Sequence, residues 1–211
     1  MNCLKWCLFC ASLMFISSIN ARPVSYPEGW TLMMMMDDQR YSIHMHYSPT
    51  AWTSVGYRLE RWRAFDTNLH SAQINHLVKR WNKFDSQANF YVKGGLGISD
   101  GPHDANAELG GFFGLATDWE DRRYFVSYNN RYTQLNDDIG FFQQSARVGW
   151  APYEGDFGDL HTWLMLQIDH MPENEDQIVA TPLVRFFKGV FMTEFGVSSK
   201  GDLLFNYIYR F

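Results

Sequence analysis

The chain has 211 residues, with 18 Lys and Arg against 23 Asp and Glu for a formal net charge of −5. That acidic balance, without a basic tract, excludes nucleic acid as a partner, and no apolar run after residue 21 approaches the roughly 20 residues of a helical membrane span. Cys3, Cys7 and Cys10 are the only cysteines, so a disulfide framework cannot hold the rest of the chain.

Residues 1–21 read as a secretory signal, with Lys5 near the start, an apolar run from Trp6 to Ile16 and a small residue, Ala21, before "RPVSYP". Cleavage after Ala21 removes Lys5 and no acid, leaving residues 22–211 as one domain with 17 basic residues against 23 acidic. From Trp30 onward the chain alternates with a period of two, broken by turn residues. Candidate strands are 29–37, 41–48, 52–62, 69–81, 87–98, 107–118, 122–133, 140–151, 159–170, 177–187, 190–198 and 202–211, with "DDQR", "SPTA", "NKFDS", "NDDIG", "PENED" and "SSKG" among the connections. The first strand, with "LMMMM", and the fourth, where His76 interrupts one face, fit the pattern least. An even count of this size matches bacterial outer-membrane barrels, whose strands need about 9–11 residues to cross.

Parity supports that reading. In "HTWLMLQID", Thr162, Leu164, Leu166 and Ile168 share one face and Trp163, Met165, Gln167 and Asp169 the other. Arg58 and Glu60 oppose Val55, Tyr57 and Leu59, and Glu194 opposes Phe195 and Val197. Alternation alone does not say which face is inside, so a soluble sandwich remains the competing architecture. Strand length and aromatics near strand ends (Trp30, Trp62, Trp81, Trp119, Tyr124, Trp150 and Tyr209) favour an all-β, antiparallel, up-and-down transmembrane barrel of about twelve strands with an aromatic girdle.

The chain ends in "LLFNYIYRF", where Leu203, Phe205, Tyr207, Tyr209 and Phe211 occupy alternate positions. With the leading signal and the alternating strands, this end resembles the Gram-negative outer-membrane β-barrel proteins. The resemblance implies that these five residues are the assembly signal read by the barrel-assembly machinery, and that the protein lies in the outer membrane against lipid and lipopolysaccharide. Acidic connections suit divalent cations bridging to that lipopolysaccharide. The terminal strand is expected to pair with the strand at Trp30.

The charged parity, placed inside, gives a lumen of Arg58, Lys79, Lys93, Arg123, Arg131, Arg147, Arg185 and Arg210 against Glu60, Glu108, Asp118, Asp169 and Glu194. Twelve strands lie between a barrel filled by its own side chains and one with an open channel. Two functions therefore stay open: a narrow channel for small solutes, with surplus cations that favour anions, and a passive envelope barrel plugged by ion pairs. In "YSIHMHYSP", His44 and His46 share the lumen face, a spacing that can chelate copper or zinc with Met33, Met35 or His161 as a third ligand. A hydrolase is the remaining alternative, but Ser71 beside His70, and Ser127 near Asn129, lack a supporting acid or base. No cofactor is called for, and no enzyme activity is expected.

Overall fold

The computed structural model describes residues 24–101, 107–156, 158–173 and 177–211; the signal segment read at residues 1–21 lies outside them. Twelve strands follow in order: β1 (Trp30–Met36), β2 (Arg40–Tyr47), β3 (Thr53–Trp62), β4 (Thr67–Asn82), β5 (Gln87–Asp100), β6 (Glu108–Glu120), β7 (Tyr124–Gln134), β8 (Gly140–Trp150), β9 (His161–His170), β10 (Ile178–Lys188), β11 (Phe191–Val197) and β12 (Leu203–Arg210). Each pairs antiparallel with its chain neighbours, and β12 returns to β1 to close an up-and-down barrel. Closure leaves no strand edge bare, which lipid demands because it supplies no hydrogen-bond partner. At the seam, Trp30 N donates to Phe211 O at 2.8 Å and Phe211 N donates to Trp30 O at 3.0 Å. The terminal residue is therefore part of the ladder as well as an aromatic at its end.

The structure decides which face is inside. Val55, Ile74, Leu96, Phe113, Val148, Leu164 and Phe195 are exposed on the outer wall, while Glu60, Gln73, Asn75, Asn89, Gln167, Glu194 and Asn206 are buried within. A water-soluble sandwich would reverse this, and a continuous apolar outer belt is the surface of a barrel solvated by lipid. At the end that carries Trp30 and Phe211, here the lower end, Trp30, Trp52, Trp81, Trp119, Tyr124 and Trp150 ring the outside. Polar groups on the outer wall partner one another, which limits their cost in an apolar medium. Tyr57 Oη lies 2.6 Å from His70 Nδ1, and Tyr128 Oη donates at 2.7 Å to Gln144, whose amide lies 2.8 Å from His170 Nδ1.

Three expectations are corrected. Trp62 is no girdle residue: it shares the inward parity of Arg58 and Glu60 and is 1% exposed. Lys79 faces outward, because the β4–β5 register shifts between Leu77 and Lys79 and one extra residue reverses the alternation. Its ammonium lies 5.2 Å from the Trp81 ring centroid, while Arg80 turns inward and donates to Asn89 at 2.8 Å. Arg123 lies before β7 in the lower turn, paired with Glu154 at 3.2 Å, and so lines no lumen.

Candidate functional site

The lumen is built around two buried carboxylates. Glu60, on the inward face of β3, is fully buried and receives Arg131 Nη1 at 2.7 Å, Arg58 Nη1 at 3.1 Å and Arg40 Nη1 at 3.2 Å, with Arg131 Nη2 bound to its second oxygen. Arg131 comes from β7, so this bidentate pair ties together parts of the wall four strands apart. Its guanidinium also lies 3.8 Å from the Phe112 ring centroid, a desolvated stacking geometry that suits arginine. Gly95 makes room for that platform: a Cβ there would sit 2.4 Å from the Phe112 ring. Above the tie, Trp62, Leu69, Phe112, Leu135, Phe141 and Met171 form an apolar cluster inside the upper half of the barrel.

Glu194, on β11, takes its partners mostly from the ladder itself. Arg185 and Asn206 are its register neighbours on β10 and β12 and donate at 2.6 Å each, and Arg147 Nη1 from β8 donates at 2.8 Å. Arg147 also donates Nε to Gln167 Oε1 at 3.0 Å, and Gln167 donates to Asp169 at 2.7 Å. Such charges tolerate burial because each carboxylate is both paired and hydrogen-bonded.

Between these clusters lies a cavity of about 300 Å³ bordered by Arg58, Lys93, Arg131, Arg147 and Arg185. Lys93 Nζ donates to Asn129 at 3.3 Å. Towards the upper end the lining turns acidic with Asp37, Asp38 and Asp169, and towards the lower end with Asp118 and Glu120. Acids thus gather at both mouths, with Arg40 beside the upper ones, while at mid-height Arg58, Lys93, Arg131, Arg147 and Arg185 outnumber the carboxylates Glu60 and Glu194. Glu108 has inward parity but stands exposed at the upper end of β6, and Arg210 is buried beside Thr31 on β1.

Sequence reasoning missed Arg40 and Arg80. Arg40 opens β2 directly after a turn, and no alternation precedes it to give its parity. The bulge hid Arg80.

His44 and His46 both point inward, 3% and 0% exposed, with ring centroids 5.6 Å apart. Met33 is the register partner of His44, and its Sδ lies 2.8 Å from His44 Nε2. His161 is placed elsewhere, against Phe187 at 6.2 Å. Ser71 and His70 point to opposite faces, Ser71 donating inside to the Arg58 carbonyl at 3.5 Å, so this pair forms no nucleophile and base.

No protein-family model matches the chain, and no curated protein does. Among solved structures, a crystal structure of Acinetobacter baumannii OccAB4 aligns with a TM-score of 0.41 at 10% identity over 85% of this chain, which spans 57% of that chain. A structure solved in work on the in-meso crystallization of membrane proteins aligns with a TM-score of 0.42 at 10% identity, covering 87% of this chain and 82% of its own. Likenesses this loose carry no argument about fold or activity. On its own geometry the chain is a transmembrane β-barrel with a charge-layered lumen.

Proposed function

We propose that this barrel is a narrow small-solute channel of a Gram-negative outer membrane, with a cationic waist that favours anions. The observation that carries this reading is the lumen cavity of about 300 Å³ ringed at mid-height by Arg58, Lys93, Arg131, Arg147 and Arg185. A volume of that order suits a solute of monosaccharide or amino-acid size. Ion preference is set where a pore is narrowest and least hydrated, so the waist outweighs the acidic mouths. The lower aromatic ring then lies at the periplasmic interface with Trp30 and Phe211, and the upper turns face lipopolysaccharide. In this reading Leu203, Phe205, Tyr207, Tyr209 and Phe211 also present themselves to the barrel-assembly machinery.

The test is conductance of the refolded protein in planar bilayers under a potassium chloride gradient. Small ohmic steps with a reversal potential on the chloride side are expected. Electrical silence favours the plugged envelope barrel, and a cation-selective current would overturn the role given to the waist.

A further inference from the structure

The arginine waist leaves one part of the lumen unexplained: the inner face of β1 and β2, where Met33, Met35, His44 and His46 stand together. His46 is 0% exposed, yet neither of its ring nitrogens has a hydrogen-bond partner among the described residues, and His44 Nδ1 likewise has none. Buried polar atoms are almost always partnered, because leaving one bare forfeits its hydration without replacement. A neutral imidazole carries one N–H and one lone pair, so His46 has both unmet and His44 one of them, and two such rings at adjacent same-face positions point to a ligand that takes up one lone pair from each. The backbone is shaped for the arrangement: Gly56 faces His46 across β3, and a Cβ there would lie 2.6 Å from His46 Cα and 2.1 Å from Met45 O.

We infer that Met33, His44 and His46 form a binding site for one monovalent soft metal ion, Cu(I). The ligand set is two imidazoles and a thioether, with the His44 and His46 rings near parallel at 19° and 5.6 Å between centroids; the Met33 sulfur lies 2.8 Å from His44 Nε2, the nitrogen through which the two can share an ion once the flexible methionine draws back to admit it. Imidazole with thioether is a soft, neutral set that suits Cu(I). Charge separates Cu(I) from zinc. Arg58 is the register partner of His44, and Thr31, the register partner of His46, is itself opposite Arg210. No carboxylate joins the imidazoles, since Glu60 is held by three arginines. A dication without an anionic ligand would be repelled here, whereas a monocation held by polarizable ligands adds a single charge. Access exists, because Met33, Met35 and His44 border the lumen cavity, with Met35 beside Met33 on the same inward face. The inference does not depend on conduction.

The experiment uses the refolded full barrel in detergent, held anaerobic and reducing, with Cu(I) titrated against a chromophoric Cu(I) chelator. One equivalent per barrel is expected. Binding should vanish in the double variant His44→Gln with His46→Gln. It should weaken by at least about 10- to 100-fold in Met33→Leu, since loss of a direct ligand costs no less than loss of an outer-shell partner. Heat-modifiable migration on a gel checks that each variant is a closed barrel. Copper-edge X-ray absorption of the parent protein reads the same claim without a variant, as one sulfur and two nitrogen or oxygen scatterers. No stoichiometric Cu(I), undiminished binding in the variants, a shell without sulfur, or equally tight Zn²⁺ would each overturn the site.

Discussion

Glu60 and Glu194 are the same chemical object in two mechanical settings. Both are buried carboxylates bound by more than one arginine, at 0% and 1% exposure. The Glu194 partners Arg185 and Asn206 are 9 and 12 residues away and lie beside it in the ladder. The bidentate partner of Glu60, Arg131, is 71 residues away and reaches from β7 to β3. Arg147 does reach Glu194 from β8, three strands away, but through one nitrogen, whereas Arg131 grips Glu60 with two across four strands, beneath an aromatic cap. The cross-lumen tie is thus the stronger at Glu60 and the pairing within the ladder the stronger at Glu194.

Removing each carboxylate in turn separates the two settings. Glu60→Gln leaves Arg40, Arg58 and Arg131 buried with a neutral amide in place of the acid they share. Breaking such a network by removing one partner costs about 3–5 kcal/mol. Glu194→Gln strands two arginines rather than three, and Gln167 still accepts from Arg147, so a loss of about 1.5–3 kcal/mol is expected. Urea unfolding of the refolded barrels measures both. Equal losses would mean that the cross-lumen tie adds nothing beyond local pairing. Single-channel conductance should rise in Glu60→Gln and stay near the parent value in Glu194→Gln.

The same contrast separates what could be read in the sequence from what could not. Alternation alone places Arg58, Glu60, Lys93, Asp169 and Glu194 on one parity, and the strand at Leu203 to Arg210 pairs with β1 as its pattern implies. Register neighbours such as Arg185 and Glu194 follow once a hairpin is drawn, because a short turn fixes the pairing. The Arg131–Glu60 tie does not, since it depends on how four strands curve the wall. A single bulge carries no composition signal in "HLVKRW", yet it exchanges Lys79 for Arg80 in the lumen. A tryptophan at a strand end suits a girdle, but for Trp62 parity is the stronger rule and places it inside against Arg40 and Arg131.

Lys93 offers a gentler probe, since it borders the waist and donates to Asn129 rather than to a clustered carboxylate. Lys93→Gln keeps a hydrogen-bonding head group, and Asp118, the acid that attracts the ammonium, keeps its hydrogen bond from Asn89 at 2.7 Å, so the stability change should stay within about 1 kcal/mol. Its effect should be electrical. The reversal potential in a salt gradient should move toward zero, by less than in a variant that also removes an arginine of the waist. An unchanged reversal potential would shift the selective section to the Arg147 and Arg185 side.

The smallest effect belongs to a carboxylate placed among acids instead of arginines. Asp38 sits in the turn between β1 and β2 at the upper mouth, outside the strands, and its carboxyl is raised from 3.8 to about 6. Burial is the main cause, followed by Asp37 and Asp169, with Asp202 adding to the rise and Lys200 opposing it. The sign follows from linkage. A group that holds its proton more tightly in the folded state than in the unfolded one penalises folding once it ionises, so its contribution worsens as pH rises from about 4 to 6 and is fully unfavourable at 7. Because the turn is partly hydrated, screening keeps that penalty to about 1 kcal/mol or less. Asp38→Asn removes the titration while preserving shape. The variant should therefore gain on its parent at pH 7 and lose that advantage at pH 4.5, in paired urea midpoints that cancel every other titrating group. Parallel midpoints at the two pH values would show that Asp38 ionises as freely as an exposed acid. The upper mouth would then keep its full negative charge down to about pH 5, and the anion preference of the waist would have to overcome it even in mild acid.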